Sequence, residues 1–388
     1  MAAPSAHATL SSSSAHRWIP CPGSVKLGSQ FPSSSSIYAD EGTLAHEAAE
    51  QMIKTGKVSA AHKKKINQFY EENPGLGGNA DQMIKTLEPY VEFVKEEFAE
   101  QSHIDPATEL MTEQRVNLTQ WIPEGFGTSD VVIIRTGRLH IIDLKYGKGV
   151  PVFAESNPQL RLYALGSLDL LDAVYDVNEV VMTIYQPRLD NVSTDKMPAA
   201  ELYNWAEEVV RPAALLALTD NAPMTAGDWC QFCPARKTCR TRANTYTDLM
   251  HYMTEKCLTV DEIAELLGKV DGLVKWAEDL KDGALTRALE GEEFPGWKVV
   301  EGRSNRKYSG TEEEIVRQCE GAGYDRALLF ETKLLTVTNM EKLMGKKQFA
   351  EVLGGYVEKP QGKPTLAPES DKRPALTNNS AAEDFADE

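Results

Sequence analysis

The chain is short of positive charge. Its 388 residues carry 41 Lys and Arg against 58 Asp and Glu, a formal net charge of −17. That balance excludes a surface coated in general nucleic-acid-binding charge, although it leaves room for a local basic patch. Long apolar runs are missing too. None approaches the ~20 residues needed to span a bilayer. The N-terminus has neither a basic n-region nor an apolar h-region, so a cytoplasmic location is expected. Six cysteines are too few for a disulfide framework in a chain of this length. Tyr146-Gly147-Lys148-Gly149 lacks the G-x-x-x-x-G-K-[ST] spacing of a phosphate-binding P-loop. There is no internal repeat. What remains is ordinary globular composition, 41% apolar and 26% charged, with length for one large core or two moderate ones.

Two short stretches stand out. Gly127-Thr128-Ser129-Asp130 is followed by Ile141-Ile142-Asp143-Leu144-Lys145. Each sets an acidic residue against a β-branched apolar run. Side chains alternate along a strand, so Asp143 and Lys145 face one way together. With Asp130 from a neighbouring strand they make two carboxylates and one ammonium. Such a pair of carboxylates can hold a hard divalent cation such as Mg²⁺. The cation polarises a phosphate and acidifies a bound water, which the lysine helps to position or deprotonate. Taken alone the pattern also arises by chance, with two aspartates flanking strands and a solvated lysine.

Its neighbours change that balance. Asp40-Glu41-Gly42-Thr43-Leu44-Ala45-His46-Glu47 precedes the acidic pair on a helical pattern, and Gln159-Leu160-Arg161-Leu162-Tyr163 follows it on another. The order G-T-x-x-H, G-x-x-D, D-x-K, Q-x-x-x-Y resembles the RecB-type branch of the PD-(D/E)XK nuclease superfamily. The likeness covers roughly residues 37–190. It implies an α/β fold with a restriction-endonuclease-like αβββαβ core. It also implies Mg²⁺ or Mn²⁺ held by His46, Asp130, Asp143 and the Leu144 carbonyl. Asp130, Asp143 and Lys145 would be catalytic, with Gln159 and Tyr163 beside the metal and the DNA.

The cysteines give a second signal. Cys230, Cys233 and Cys239 form a C-x2-C-x5-C array, while Cys21 lies far upstream in Trp18-Ile19-Pro20-Cys21-Pro22-Gly23-Ser24. One cysteine before the nuclease motifs and three after them resembles the iron–sulfur nucleases, both AddB-type and CRISPR-associated RecB-like exonucleases. That resemblance implies a [4Fe–4S] cluster on Cys21, Cys230, Cys233 and Cys239. Thiolates suit zinc equally, which is the alternative metal. Cys257 and Cys319 lack such neighbours and read as core thiols.

Hydrophobic periodicity organises the rest. Helices are expected over 38–56, 81–101, 157–171 and 198–219, and strands over 110–116, 130–135, 139–144 and 180–185. Thr136-Gly137 is a tight hairpin turn. Residues 60–80 read as polar and end in a loop. Glu113 alternates into the first strand, either reaching the site or sitting solvated on an edge. Further on, 259–290 reads as helical, 296–300 as a short strand and 311–353 as helix and turn. Four regions follow: an N-terminal segment 1–36 carrying Cys21, a nuclease domain 37–242, a mainly helical accessory domain 243–358, and a disordered acidic tail 359–388. Three basic stretches exist: Lys63-Lys64-Lys65, residues 236–242, and Arg303, Arg306 and Lys307. The second surrounds the last array cysteine and is the best candidate for phosphate contact, with simple solvation as the competing reading.

The expected function is therefore metal-dependent DNA hydrolysis by an exonuclease of recombination, repair or processing. The start Ala-His-Arg-Trp-Ile-Pro-Cys-Pro-Gly-Ser resembles phage nuclease-like proteins and implies the bacterial host cytoplasm. Expected partners are single-stranded or end-containing double-stranded DNA, and a phage recombination or single-strand-binding protein. The rival reading is a non-catalytic DNA-end-binding or scaffolding subunit of a phage replication or recombination complex.

Overall fold

The computed structural model describes residues 8–31, 37–247, 259–300, 311–322, 325–326, 329–330 and 334–358. Cys257, the basic residues Arg303, Arg306 and Lys307, and the tail 359–388 lie outside them. The chain divides into two compact units, Met1–Glu292 and Glu293–Glu388.

The first unit is a mixed α/β structure around a five-stranded sheet in the order β1-β2-β3-β4-β5. After two short helical turns in the N-terminal segment, Ala15–Trp18 and Ser24–Gly28, come helices α1 (Ile37–Thr55), α2 (Ala60–Glu72) and α3 (Ala80–Ile104). Strands β1 (Glu109–Asn117), β2 (Phe126–Arg135) and β3 (Arg138–Leu144) follow as an antiparallel meander. The crossover helix α4 (Pro158–Tyr175) then returns the chain to β4 (Glu179–Gln186), which pairs parallel to β3. β5 (Asn191–Pro198) closes the sheet as an antiparallel edge. Helices α5 (Ala199–Trp205) and α6 (Arg211–Ala217) are joined by a π-helical turn, and α7 (Arg240–Thr247) and α8 (Val260–Leu289) complete the unit.

Both faces of the sheet are covered, which is why β2, β3 and β4 carry nearly continuous apolar runs. On one face α1, α2 and α3 bury Leu44, Ile66, Leu87 and Val94 against Val131, Ile133 and Ile142. On the other, α4 to α6 bury Leu162, Leu165 and Val210 against Val132, Ile134 and Ile141. The Ser-rich N-terminal segment, expected to be mostly irregular, joins this second core. Leu10, Ala15 and Trp18 are wholly buried there, and the Trp18 indole donates to the Ser11 carbonyl at 3.0 Å.

Three elements differ from expectation. Residues 60–72 form α2, whose apolar stripe is only Ile66, Phe69 and Tyr70 among lysines, and whose start is capped by Ser59. β5 is a half-exposed edge strand of mostly polar residues, so its alternation carries little apolar signal. Residues 296–300 form no strand. The second unit holds α9 (Glu312–Gly321), α10 (Val337–Met344) and α11 (Lys346–Leu353). Thr311 and Glu314 form a reciprocal capping box on α9, and Gly345 at φ 78° separates α10 from α11.

A polar chain crosses the first core. His140 of β3 is buried, with Nδ1 3.2 Å from the Glu97 carboxylate and Nε2 2.9 Å from Thr183 Oγ1, which lies 2.9 Å from Thr194 Oγ1. The tautomer that satisfies both neighbours carries its proton on Nδ1. Burial disfavours the imidazolium and, against the pull of Glu97, lowers the pKa of His140. The unfolded chain therefore binds the proton more readily, and stability falls as pH drops below the ordinary histidine value of about 6.5. The melting temperature of wild type should decline between about pH 7 and 5, and that of His140→Gln should decline less over the same window. Equal slopes would remove His140 as the cause.

Candidate metal centre and cysteine site

The site begins where the sheet forks. The β2–β3 ladder runs from Arg135↔Arg138 to Val131↔Ile142 and then opens, while β3 stays paired with β4 as far as Leu144↔Tyr185. Beyond the fork the Leu144 N–H has no backbone acceptor on β2. It donates instead to Asp130 Oδ2 at 2.8 Å. The other oxygen of Asp130 faces α1, where His46 Nδ1 lies 3.2 Å away. Glu113 of β1 completes the group: ligand atoms of His46, Glu113 and Asp130 all lie within 4.8 Å of one another. Leu144 lines the same small pocket.

The rest of α1 explains why His46 stands there. Leu44, Ala45, Ala48 and Ala49 are buried on the sheet. Glu41, also buried, accepts from the Tyr70 hydroxyl at 2.7 Å and pairs with Arg188 at 2.9 Å. These contacts tie the first turns of α1 to α2 and to the β4–β5 turn.

On the far side of Asp130 a second network forms. Asp143 and Lys145 share a face of β3, as alternation requires, and Lys145 Nζ lies 2.9 Å from Asp143 Oδ2. Gln159 and Tyr163, four apart on α4, share a face as well. The Gln159 amide joins all four residues. Its Oε1 accepts from Lys145 at 2.9 Å, and its Nε2 donates to Asp143 Oδ1 at 3.2 Å and to Tyr163 OH at 3.0 Å. Asp143 is almost fully buried, and its Oδ2 meets Lys145 as an ion pair without hydrogen-bond alignment. Tyr163 also accounts for the glycine of the G-T-S-D stretch. A Cβ on Gly127 would stand 2.9 Å from the Tyr163 ring and from Ser12 Oγ.

Electrostatics match this division. Burial opposes the His46 imidazolium, but the carboxylates of Asp130 and Asp143 outweigh it and push its pKa up to about 9. Burial likewise opposes the Asp130 carboxylate, yet His46 and Lys145 hold it below the usual range. Asp143 is raised by burial and by the Asp130 charge, against the pull of Lys145. Burial and the same Asp130 charge push Glu113 up to about 7. The carboxylates here hold a proton on His46, and a cation bound among them would take the place of that proton's charge.

Chain residues 7–374 match the family model described as "Protein of unknown function (DUF2800)". The chain belongs to the DUF2800 family. A solved structure titled "Crystal structure of SSO0001" is similar at 15% identity over 51% of this chain and 95% of that chain, with a TM-score of 0.20. At that score the likeness bears on neither fold nor site.

The second cluster in this DUF2800 chain is the cysteine set. Cys21, Cys230, Cys233 and Cys239 line one cavity, although 209 positions separate the first two (230 − 21). No disulfide joins them. Two stitches hold Cys21 there: Gly23 N–H donates to the Pro223 carbonyl at 2.9 Å, and Thr225 N–H to Cys21 Sγ at 3.3 Å. Gly23 is required by close approach, since a Cβ would stand 2.6 Å from the Ala222 carbonyl. Burial pushes the Cys21 and Cys230 thiols up, and the neighbouring cysteines push them further. Ionising them together needs a compensating cation.

In residues 236–242, the best candidate for phosphate contact beside simple solvation, three of the four basic side chains meet two acids within the protein. Arg236 pairs with Asp279 at 3.0 Å and Lys237 with Asp282 at 2.6 Å, while the buried Arg242 also binds Asp279. These acids lie on α8, whose Gly283 passes against Lys237. Similarly, Lys63 pairs with Asp81 and Lys65 with Glu47. Sequence spacing could not show these partners, because they sit on other elements.

If the cysteines share one centre, its loss opens a very long loop. Cys233→Ala should lose bound metal and lower the melting temperature well beyond Cys319→Ala, a substitution outside the set. Metal content by elemental analysis and a thermal melt of the two variants decide this. Equal melts and unchanged metal would remove the shared centre.

Proposed function

We propose that this chain is a metal-dependent deoxyribonuclease of the RecB-like PD-(D/E)XK kind, acting as an exonuclease in DNA recombination, repair or processing. The element order α3-β1-β2-β3-α4-β4 agrees with the αβββαβ arrangement expected of a restriction-endonuclease-like core. The observation that carries the reading is the Gln159 amide. It joins the D-x-K strand to the Q-x-x-x-Y helix on the far side of the aspartate that faces His46. Four motifs scattered over more than a hundred residues thereby meet at one fork.

His46 and Asp130 suit Mg²⁺ or Mn²⁺ by donor type. Leu144, whose carbonyl is the further ligand the resemblance implies, lines the same pocket, and the Asp143 carboxylate acts on His46 as well. Such a cation, when bound, polarises a phosphate oxygen and lowers the pKa of a water. The protein supplies the rest. Gln159 and Asp143 hold the Lys145 ammonium, a charge suited to orient an attacking water and to stabilise negative charge developing on phosphate oxygens. Gln159, backed by the buried Tyr163, positions the Lys145 and Asp143 side chains. Asp130 holds Leu144 through one oxygen and faces His46 with the other.

For the cysteines the proposed group is a [4Fe–4S] cluster, with zinc as the alternative, since thiolates suit both. Held on Cys21, Cys230, Cys233 and Cys239, which line one cavity, it would staple the N-terminal segment to the array.

With Mg²⁺ or Mn²⁺, wild type should hydrolyse end-labelled linear DNA, and circular substrates in parallel separate exo- from endonuclease action. Asp143→Asn and Lys145→Ala should each lower the rate about 10²-fold or more, and Lys145→Ala, which leaves the buried Asp143 carboxylate without its ammonium, should also lower the melting temperature. His46→Ala should shift the metal titration and recover partly at high Mn²⁺. Wild-type DNA binding without any cleavage would favour the end-binding subunit instead.

A further inference from the structure

We propose that Glu113 of β1 is a protein ligand of the divalent cation, an addition to the set implied by the nuclease resemblance. The assignment rests on the nuclease reading only for what the cation does.

The backbone delivers Glu113 to the site in an unusual way. Met111 and Val116 both pack toward α4, although residues five apart on a regular strand face opposite sides. β2 shows the same change. Val132 belongs to the α4-side core, and Gly127, five residues away, is approached by Tyr163 of α4. Both strands therefore switch faces between these positions. Their ladder is interrupted there, for Thr112↔Val131 and Gln114↔Ser129 pair while Glu113 and Asp130 between them do not. Glu113 absorbs the switch with φ 50°, a left-handed conformation that favours glycine.

The consequence is chemical. The two unpaired positions turn their carboxylates toward His46 of α1, with all three ligand atoms within 4.8 Å. Glu113 has no ion-pair partner among the described residues. A non-glycine residue held left-handed costs on the order of 1–3 kcal/mol, and a solvated carboxylate at this place returns nothing for it. A cation does. Oxygen and nitrogen ligands about Mg²⁺ or Mn²⁺ stand about 3 Å apart, from bonds of ~2.1 Å in an octahedron, so small side-chain movements close the group. Asp143 is meanwhile occupied by Lys145 and Gln159. Glu113 then stands nearer to His46 and Asp130 as the second carboxylate of the group.

The test is direct Mn²⁺ binding to the full chain, read by electron paramagnetic resonance, for wild type, Glu113→Gln, Glu113→Gly and Glu109→Gln. Glu109 opens the same strand and serves as control. The two Glu113 variants should bind at least about tenfold more weakly, and Glu109→Gln should match wild type. Glycine suits the left-handed backbone, so Glu113→Gly should keep or raise the metal-free melting temperature while losing affinity. That separates ligation from a folding defect. Wild-type affinity in both Glu113 variants overturns the assignment, as does a wild type that binds no Mn²⁺. Cleavage assays on the same samples separate the two claims. If the variants lose Mn²⁺ and even wild type leaves DNA intact, the ligand assignment stands and the nuclease reading fails. If all cleave DNA with one Mn²⁺ titration curve, the ligand assignment fails and the nuclease reading stands.

Discussion

The hydrogen bond from the Leu144 N–H to the Asp130 carboxylate holds the site together. It forms because β2 and β3 part company beyond Val131↔Ile142. A buried backbone donor without an acceptor costs about 1–3 kcal/mol, and the carboxylate removes that cost. In doing so it fixes one oxygen of Asp130 and leaves the other toward His46. α1 is brought to the fork by its own packing on the sheet, and His46 meets Asp130 there.

Two helical layers close the fork from either face of the sheet. The helical layer of α1 to α3 supplies His46 and closes one side of the fork. The layer of α4 supplies Gln159 and Tyr163 and closes the other. Neither layer could place its residues without the buried sheet between them, whose central strands are packed on both faces. The cysteine cavity lies apart from this fork. It anchors an N-terminal segment whose Trp18 already belongs to the α4-side core, so that segment is bound both by packing and by the Cys21 stitches.

The acidic balance of the chain also finds a partial explanation. Arg236, Lys237 and Arg242 are met by Asp279 and Asp282 of α8, and Lys63 and Lys65 by Asp81 and Glu47. Several of the carboxylates therefore hold elements together, and the net charge of −17 says little about where a polyanion could approach. Exposed members of these pairs are worth little each. The buried Arg242 is different, because its guanidinium would be left uncompensated without Asp279.

The sequence by itself determined the strongly periodic elements and the motif residues. α1, α3, β2, β3, α4 and β4 were legible because each buries a broad apolar face, and His46, Asp130, Asp143, Lys145, Gln159 and Tyr163 because their order resembles a nuclease motif series, which spacing alone would not have singled out. α2 and β5 were not, since a narrow stripe and a half-exposed edge leave little apolar pattern. Only the tertiary structure decided which carboxylate stands beside His46. Asp143 looked like the partner of Asp130, but its proximity to Gln159 and Lys145 depends on α4. Glu113 read equally as a site residue or a solvated edge charge, and a break in alternation shared by two strands brings it beside His46. Local sequence sets which face a side chain takes within a regular strand. Where two strands change face together, pairing and packing across elements set it instead.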